Sequence, residues 1–235
     1  MFMRLDKFLC ELNIGSRSQV KKEIKLGNVS VNGKLIKDAD HQINEASDCI
    51  TYRGQELSYS KFKYYMLNKP QGVVSATNDL RETTVIDLLP ESLRKNIFPA
   101  GRLDKDTEGF LLLTNDGELS HRLLAPKKHV DKVYLVGISQ PLRQEELALL
   151  SEGVDIGEQK PTAPAKVEVI SEKQILLTIH EGKFHQVKRM LAAVGNKVVT
   201  LKRVTFAGIP LDTSLQPGEW RELTKEELEQ LNAID

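Results

Sequence analysis

Two stretches of the 235-residue chain gather ionisable side chains densely enough to do chemistry. The first, Gly101-Arg-Leu-Asp-Lys-Asp-Thr-Glu-Gly109, sets charged residues and a threonine between two glycines, directly before the apolar run Phe110-Leu-Leu-Leu113. A carboxylate placed where a loop enters a buried strand is partly desolvated and needs a cationic partner, and this singles out Asp104. Spacing alone leaves an ordinary charged turn equally open, and Asp106 and Glu108 fit that reading. The second stretch is His180-Glu-Gly-Lys-Phe-His-Gln-Val-Lys-Arg-Met190. Wound as a helix, it puts Val187, Met190, Leu191 and Val194 on one buried stripe, His185 and Arg189 on the opposite face, and Lys188 on the flank, within reach of a neighbouring loop. A solvated basic face is the alternative. His41, His121, His129, His180 and His185 are scattered and neither Cys10 nor Cys49 has a ligand-like spacing, so no metal site is expected. No serine or cysteine sits in a nucleophile motif. No glycine-rich phosphate loop is present, which removes the support for a nucleotide cofactor.

Charge distribution points to a polyanion. The chain is neutral overall, with 33 basic and 33 acidic residues. Residues 1–37 nevertheless carry eight bases, Arg4, Arg17, Lys21, Lys22 and Lys25 among them, against three acids, and residues 180–203 carry six bases against Glu181. Residues 38–56 and 219–235 reverse the sign. Local basic faces on a neutral chain suit a selective nucleic-acid binder, although a charge run is by default a solvated surface. Composition is otherwise that of a globular protein, 40% hydrophobic and 28% charged, which argues against disorder. No apolar run approaches the roughly 18 residues that span a bilayer. The N-terminus lacks a secretory core, so a cytoplasmic location is expected, with both cysteines reduced and serving as packing residues.

The elements that must position these groups are legible in outline. Ser16 and Gln19 have capping-box spacing and Gly27 suits a left-handed terminus, giving a helix over 17–26 whose basic residues share one face. Asn32-Gly33 is a type I′ pair joining strands at 29–31 and 34–37. A polar connector at 58–63 marks a boundary, so residues 1–60 and 61–235 are expected to be separate domains. Beyond it, strands are expected at 64–67, at Val73-Val74, and at 110–114, 133–138, 165–170 and 175–179. Helices are expected at 118–124, 143–150, 185–194 and 225–231. Asn115, three residues before Glu118, reads as a helix cap. Without strict βαβ alternation, the fold class is α+β on a mixed, mainly antiparallel sheet.

These residues resemble two known families. Arg4-Leu-Asp-Lys7, Ser16-Arg17 and Gly27-Asn-Val-Ser-Val-Asn-Gly33 are similar to the S4-type RNA-binding domain. Leu67-Asn-Lys-Pro-Gln-Gly72, the stretch from Gly101 to Gly117, Lys132-Val-Tyr-Leu-Val136 and Glu181-Gly-Lys-Phe-His-Gln-Val-Lys-Arg-Met190 resemble, in order, the RsuA-type ribosomal-RNA pseudouridine synthases. The resemblance implies isomerisation of a uridine in rRNA without an external cofactor. It places the essential aspartate on Asp104, an active-site tyrosine on Tyr134 and the aspartate's basic partner on Lys188, with Arg189 the alternate. Arg102 becomes the side chain that inserts into RNA as the base leaves its stack. The remaining RNA contacts fall on Arg4, Arg17, Lys21, Lys22, Lys25, His185 and Arg189. Three routes for Asp104 stay open: attack on the sugar, attack on the base, or proton removal to give a glycal. The forms of the first and last motifs lean to 16S rRNA in a partly assembled small subunit, acted on by a monomer. A 23S rRNA enzyme and a non-catalytic assembly factor are the rival expectations.

Overall fold

Ser16 starts the best-defined local structure of the N-terminal region. Its hydroxyl faces the Gln19 amide while the Gln19 side chain accepts from the Ser16 N–H at 2.8 Å, so two of the free donors at the helix start are met. The computed structural model describes residues 2–45, 47–57 and 61–234, in two compact units, Met1–Lys61 and Phe62–Asp235. Of the connector expected at 58–63, Ser58, Tyr59 and Ser60 lie outside the described residues.

In the first unit β1 (Phe2–Arg4) leads into α1 (Leu5–Glu11) and α2 (Arg17–Lys25), followed by β2 (Val29–Val31), β3 (Lys34–Leu35), β4 (Gln42–Asn44), β5 (Ile50–Tyr52) and β6 (Gln55–Glu56). β1 pairs with β4, and the other strands form a sheet in the order β3-β2-β5-β6. Asn32 and Gly33 have φ of +51° and +78°, as a type I′ hairpin requires. Val20 and Ile24 of α2 pack with Leu5, Phe8, Leu9, Val29 and Ile50, which turns Arg17, Lys21, Lys22 and Lys25 to solvent. Glu23 fastens α2 to the sheet by accepting from Tyr52, Asn28 and Arg53. Cys49, expected as a packing residue, is exposed.

The second unit is built on one sheet, in the order β11-β12-β10-β13-β9-β7-β15. Its strands are β7 (Tyr64–Lys69), β8 (Phe98–Pro99), β9 (Glu108–Thr114), β10 (Lys132–Ile138), β11 (Lys166–Ser171), β12 (Gln174–Ile179), β13 (Val198–Phe206), β14 (Ile209–Pro210) and β15 (Trp220–Glu222). α3 (Gly117–Leu124), α4 (Gln144–Glu152), α5 (Gln186–Ala193) and α6 (Lys225–Asn232) complete it. The ladders are antiparallel except β13 against β9, which is parallel. Leu111 and Leu113 of β9 face one core with Tyr134, Leu177 and Met190, while Phe110 and Leu112 face a second core with Phe206 and Leu123. Burial on both faces explains why β9 reads as an unbroken apolar run rather than an alternation.

Three expectations need correction. Val73 and Val74 form no strand; Val74 makes an isolated bridge to Thr84. The cap of α3 is Asp116, whose carboxylate accepts the Leu119 N–H at 3.0 Å, while Asn115 accepts from Lys63 N. Residues 180–203 are not one solvated basic face. Their C-terminal part is β13 at the centre of the sheet, and Arg203 is buried there, donating Nε–H to the Phe110 carbonyl at 2.7 Å. Its guanidinium lies 4.8 Å from the Phe206 ring centroid, a cation–π contact that compensates part of the lost hydration.

Candidate active site

Asp104 stands in the loop that leads from β8 into β9, and the residues around Lys69-Pro-Gln-Gly72 build that loop. The Gly72 N–H donates to the Lys105 carbonyl at 2.8 Å. Ser75 Oγ bonds both the N–H and the carbonyl of Leu103, and Leu103 is buried in the core. Lys69, fully enclosed, donates Nζ–H bonds to the carbonyls of Pro70 and Thr107 at 2.9 Å and lies 3.4 Å from that of Lys105. Carbonyls on an irregular loop are costly to bury without a donor, and one ammonium supplies donors to those of Pro70 and Thr107 while Gly72 serves that of Lys105. Asp104 is thus held from beneath by groups that touch its neighbours' backbone, leaving its carboxylate partly exposed.

α5 supplies the cation. Val187, Met190, Leu191 and Val194 are buried as the helical spacing requires, and this rotation carries Lys188 towards the loop. Its Nζ lies 2.9 Å from Asp104 Oδ2 and donates to Asp106 Oδ1 at 2.6 Å. Burial works against the Lys188 charge, but the hydrogen bonds to Asp106 and Asp104 outweigh it and raise its pKa. The same hydrogen bond holds the Asp106 carboxyl below its ordinary value. Asp106 is therefore part of the ion cluster, contrary to its reading as one charge of a turn. His185 caps α5 with a left-handed backbone, φ +49°, and its Nε2 is 3.6 Å from Asp104 Oδ1.

Asp104, Arg102, Tyr134 and His185 line one cleft with Thr107 and Gln186. Tyr134 is buried in the wall on β10, and Arg102 is exposed at the rim. Arg189 is not among them. Its guanidinium is bonded to Glu158 and to the carbonyls of Phe184 and Ile156, bracing the turn before α5. Arg4, Arg17, Lys21, Lys22 and Lys25 belong to the first unit, where Arg4 is engaged by Asp6 and Asp40. Spacing did not single out Thr107 and Gln186, which line the cleft, nor Lys69 and Asp106, which brace the Asp104 loop and its ammonium. The enclosed Thr107 hydroxyl has no hydrogen-bond partner among the described residues. Gln186 bonds Glu181 and the Lys183 N–H, fixing the turn that precedes α5.

A partly buried carboxylate clamped to an ammonium, beside a flat aromatic wall and under an exposed arginine, suits a planar electrophilic ring carried on a polyanion. It defines a base-modifying RNA enzyme. The chain belongs to the RNA pseudouridylate synthase family, whose model matches residues 63–193, and residues 3–48 match the S4 domain. It is 52% identical to the uncharacterised RNA pseudouridine synthase YtzG of Bacillus subtilis over 98% of both chains. It is 43% identical to ribosomal small subunit pseudouridine synthase A of Escherichia coli, over 96% of this chain and 98% of that one. A crystal structure of a pseudouridylate synthase, 43% identical, superposes with a TM-score of 0.70 over 97% of this chain and 99% of the other. The expected α+β class and both expected families therefore hold.

Two predictions arise here. Lys188→Met removes the charge that faces Asp104, and kcat is expected to fall about 10²–10³-fold with little change in KM, as for loss of one electrostatic partner of a reacting group. Lys188→Arg should retain most of the activity. Single-turnover assays at saturating RNA check both.

The second concerns pH. Burial pushes Lys69 and Lys132 down to about 8; Lys132 Nζ donates to the carbonyls of Val130 and, at 3.3 Å, His180. Below pH 8 both are charged in the folded and unfolded states, and folding bears the full desolvation cost. Between pH 8 and about 10.5 the folded state has released these protons and the unfolded state has not, so stability rises with pH. Above about pH 10.5, where the unfolded lysines have also lost their protons, the trend reverses, because burial and the hydrogen bond to Asp116 raise the Tyr64 phenol. Urea unfolding should show stability increasing by about 1–3 kcal/mol per lysine from pH 8 to 10, and Lys132→Met should flatten part of that rise.

Proposed function

We propose that this enzyme isomerises a uridine of small-subunit 16S rRNA, in a partly assembled particle, through Asp104. The observation that carries the proposal is the Asp104–Lys188 ion pair on a cleft walled by Tyr134 and rimmed by Arg102. In the reaction the N1–C1′ bond breaks, the base turns, C5 bonds to C1′, and the C5 proton leaves while N1 gains one. Atoms balance without an external cofactor. Arg102 enters the RNA in place of the departing base, which offsets part of the few kcal/mol that unstacking costs. Tyr134, a residue of the cleft wall, stacks on the flipped uracil and its hydroxyl serves the proton transfer at C5. Lys188 faces Asp104 and fixes its orientation, with Asp106 as the second anchor of the ammonium. Asp104 acts on the sugar or the base, or draws a proton to give a glycal.

The first unit supplies phosphate contacts through Arg17, Lys21, Lys22 and Lys25 on the exposed face of α2, positioning the enzyme on rRNA rather than choosing the uridine. His185 adds a contact at the cleft. The protein works as a cytoplasmic monomer. The 16S choice rests on the relatives named for small-subunit modification, at 43–44% identity over 96–97% of this chain. Tritium release from C5-labelled uridine in 16S and 23S transcripts and in their ribosomal-protein particles tests it. Release from 16S substrates, strongest in the particle, is expected. Release from 23S RNA alone would overturn the subunit assignment, and binding without release from any substrate would favour the assembly-factor reading.

A further inference from the structure

Phe184 stands between Lys183 and His185, two residues of the cleft wall, with most of its own side chain in water. It is 73% exposed, whereas Phe110 and Phe206 of the same unit are fully buried. Exposure here is built rather than incidental. The Lys183 N–H donates to the Gln186 side chain, the Gln186 N–H returns to the Lys183 carbonyl, and Arg189 donates to the Phe184 carbonyl at 3.1 Å. His185 between them sits in the left-handed region at φ +49°, a conformation that persists only where its surroundings over-determine it. The braced turn stacks the Phe184 ring on the His185 imidazole, centroids 3.8 Å apart and planes within 20°. His185 in turn lines the cleft beside Asp104.

One face of the Phe184 ring thus rests on a cleft residue and the ring is otherwise exposed. Arg102 and Lys183 line the same cleft, so the surroundings attract a phosphate chain, and a nucleobase is the flat, apolar-faced group such a chain brings. We propose that Phe184 is a stacking platform for the nucleobase next to the target uridine, an inference that rests on the reading of the Asp104 cleft as the uridine site. The target enters the cleft past His185; its neighbour, which loses a stacking partner when the target leaves, settles on Phe184. Because every base has a π face, the platform adds affinity and holds the opened strand without selecting a sequence.

The experiment compares wild type with Phe184→Ala, Phe184→Leu and Phe184→Trp, using the 16S transcript as probe. Phe184→Ala is expected to weaken RNA affinity and raise KM about tenfold or more, with an unchanged slope of log K against log salt because no phosphate contact is lost. Lys21→Ala, by contrast, removes one of the phosphate contacts of α2 and should reduce that slope by about one. Phe184→Leu keeps an apolar group over His185 but offers no π face, and should behave like Phe184→Ala. Phe184→Trp should restore affinity, and the emission of its added indole should be quenched as RNA binds. Affinity unchanged in Phe184→Ala, wild-type behaviour in Phe184→Leu, or indole emission indifferent to bound RNA each overturns the platform. Absence of tritium release by the wild type would instead count against the uridine reading, and the quenching measurement would still decide whether a base stacks on Phe184.

Discussion

Asp104→Asn is expected to fold as the wild type does, bind RNA within about threefold, and lose at least about four orders of magnitude in single-turnover rate. The size follows from the role. Loss of a group that forms or breaks a bond in the reaction has a far larger effect than loss of a binding contact, and about 10⁴-fold corresponds to about 5.5 kcal/mol of transition-state stabilisation. Folding is spared because the substitution is nearly isosteric and Lys188 keeps a counter-ion in Asp106 at 2.6 Å. The amide oxygen that the substitution leaves in place still accepts from Lys188, so the loop held by Lys69 and Ser75 has no reason to move. A variant retaining more than about 1% of the wild-type rate would show that Asp104 positions substrate rather than reacting.

Gly109→Ala is expected to be the most destructive single-methyl change in the chain. Gly109 has φ +104°, and a Cβ there would meet the Arg203 carbonyl oxygen at 2.2 Å and the Arg203 nitrogen at 2.7 Å. Those are backbone atoms of β13, paired in parallel with β9 at Lys202 with Glu108 and Arg203 with Gly109. Neither can rotate away, so the strands must separate at the centre of the sheet, on the strand that carries the Asp104 loop. The expected cost exceeds about 4 kcal/mol, a large share of the 5–15 kcal/mol that holds a typical protein folded. Denaturant unfolding should show a variant largely unfolded or with a much lower midpoint. Gly117→Ala is the control: its Cβ meets nothing within 4 Å, and at the start of α3 it should be neutral or stabilising by up to about 1 kcal/mol. Equal stability of Gly109→Ala and Gly117→Ala would contradict the close strand approach.

What was legible in the sequence was what local chemistry decides. The Ser16–Gln19 box, the Asn32-Gly33 turn and the buried stripe of α5 each depend on neighbours within a few residues, and each is found as read. The juxtaposition of Asp104 with Lys188 was carried by the family motifs, since 84 positions of chain separate them and no spacing rule spans that gap. β13 is not legible locally because Lys202 and Arg203 have the character of surface residues. Arg203 is buried only because Phe110 of β9 and the Phe206 ring receive it, contacts set by the sheet order. Lys69 and Thr107 are illegible for the same reason: a lysine fully enclosed by three loop carbonyls carries no mark in its own neighbourhood. Asn115 leaves the cap of α3 to Asp116 because the N–H of Lys63, the residue just before β7 and 52 positions earlier, claims its oxygen.

The most direct test of the central claim is nucleoside analysis by mass spectrometry of 16S rRNA, in its ribosomal-protein particle, after incubation with wild type or Asp104→Asn. The expected result is one uridine converted to an isomer of identical mass whose base is held by a carbon–carbon bond, and so resists loss of the base on fragmentation, with no such product from Asp104→Asn. Binding of the RNA by the wild type with every uridine unchanged, or equal conversion by both proteins, would contradict a uridine isomerase that works through Asp104.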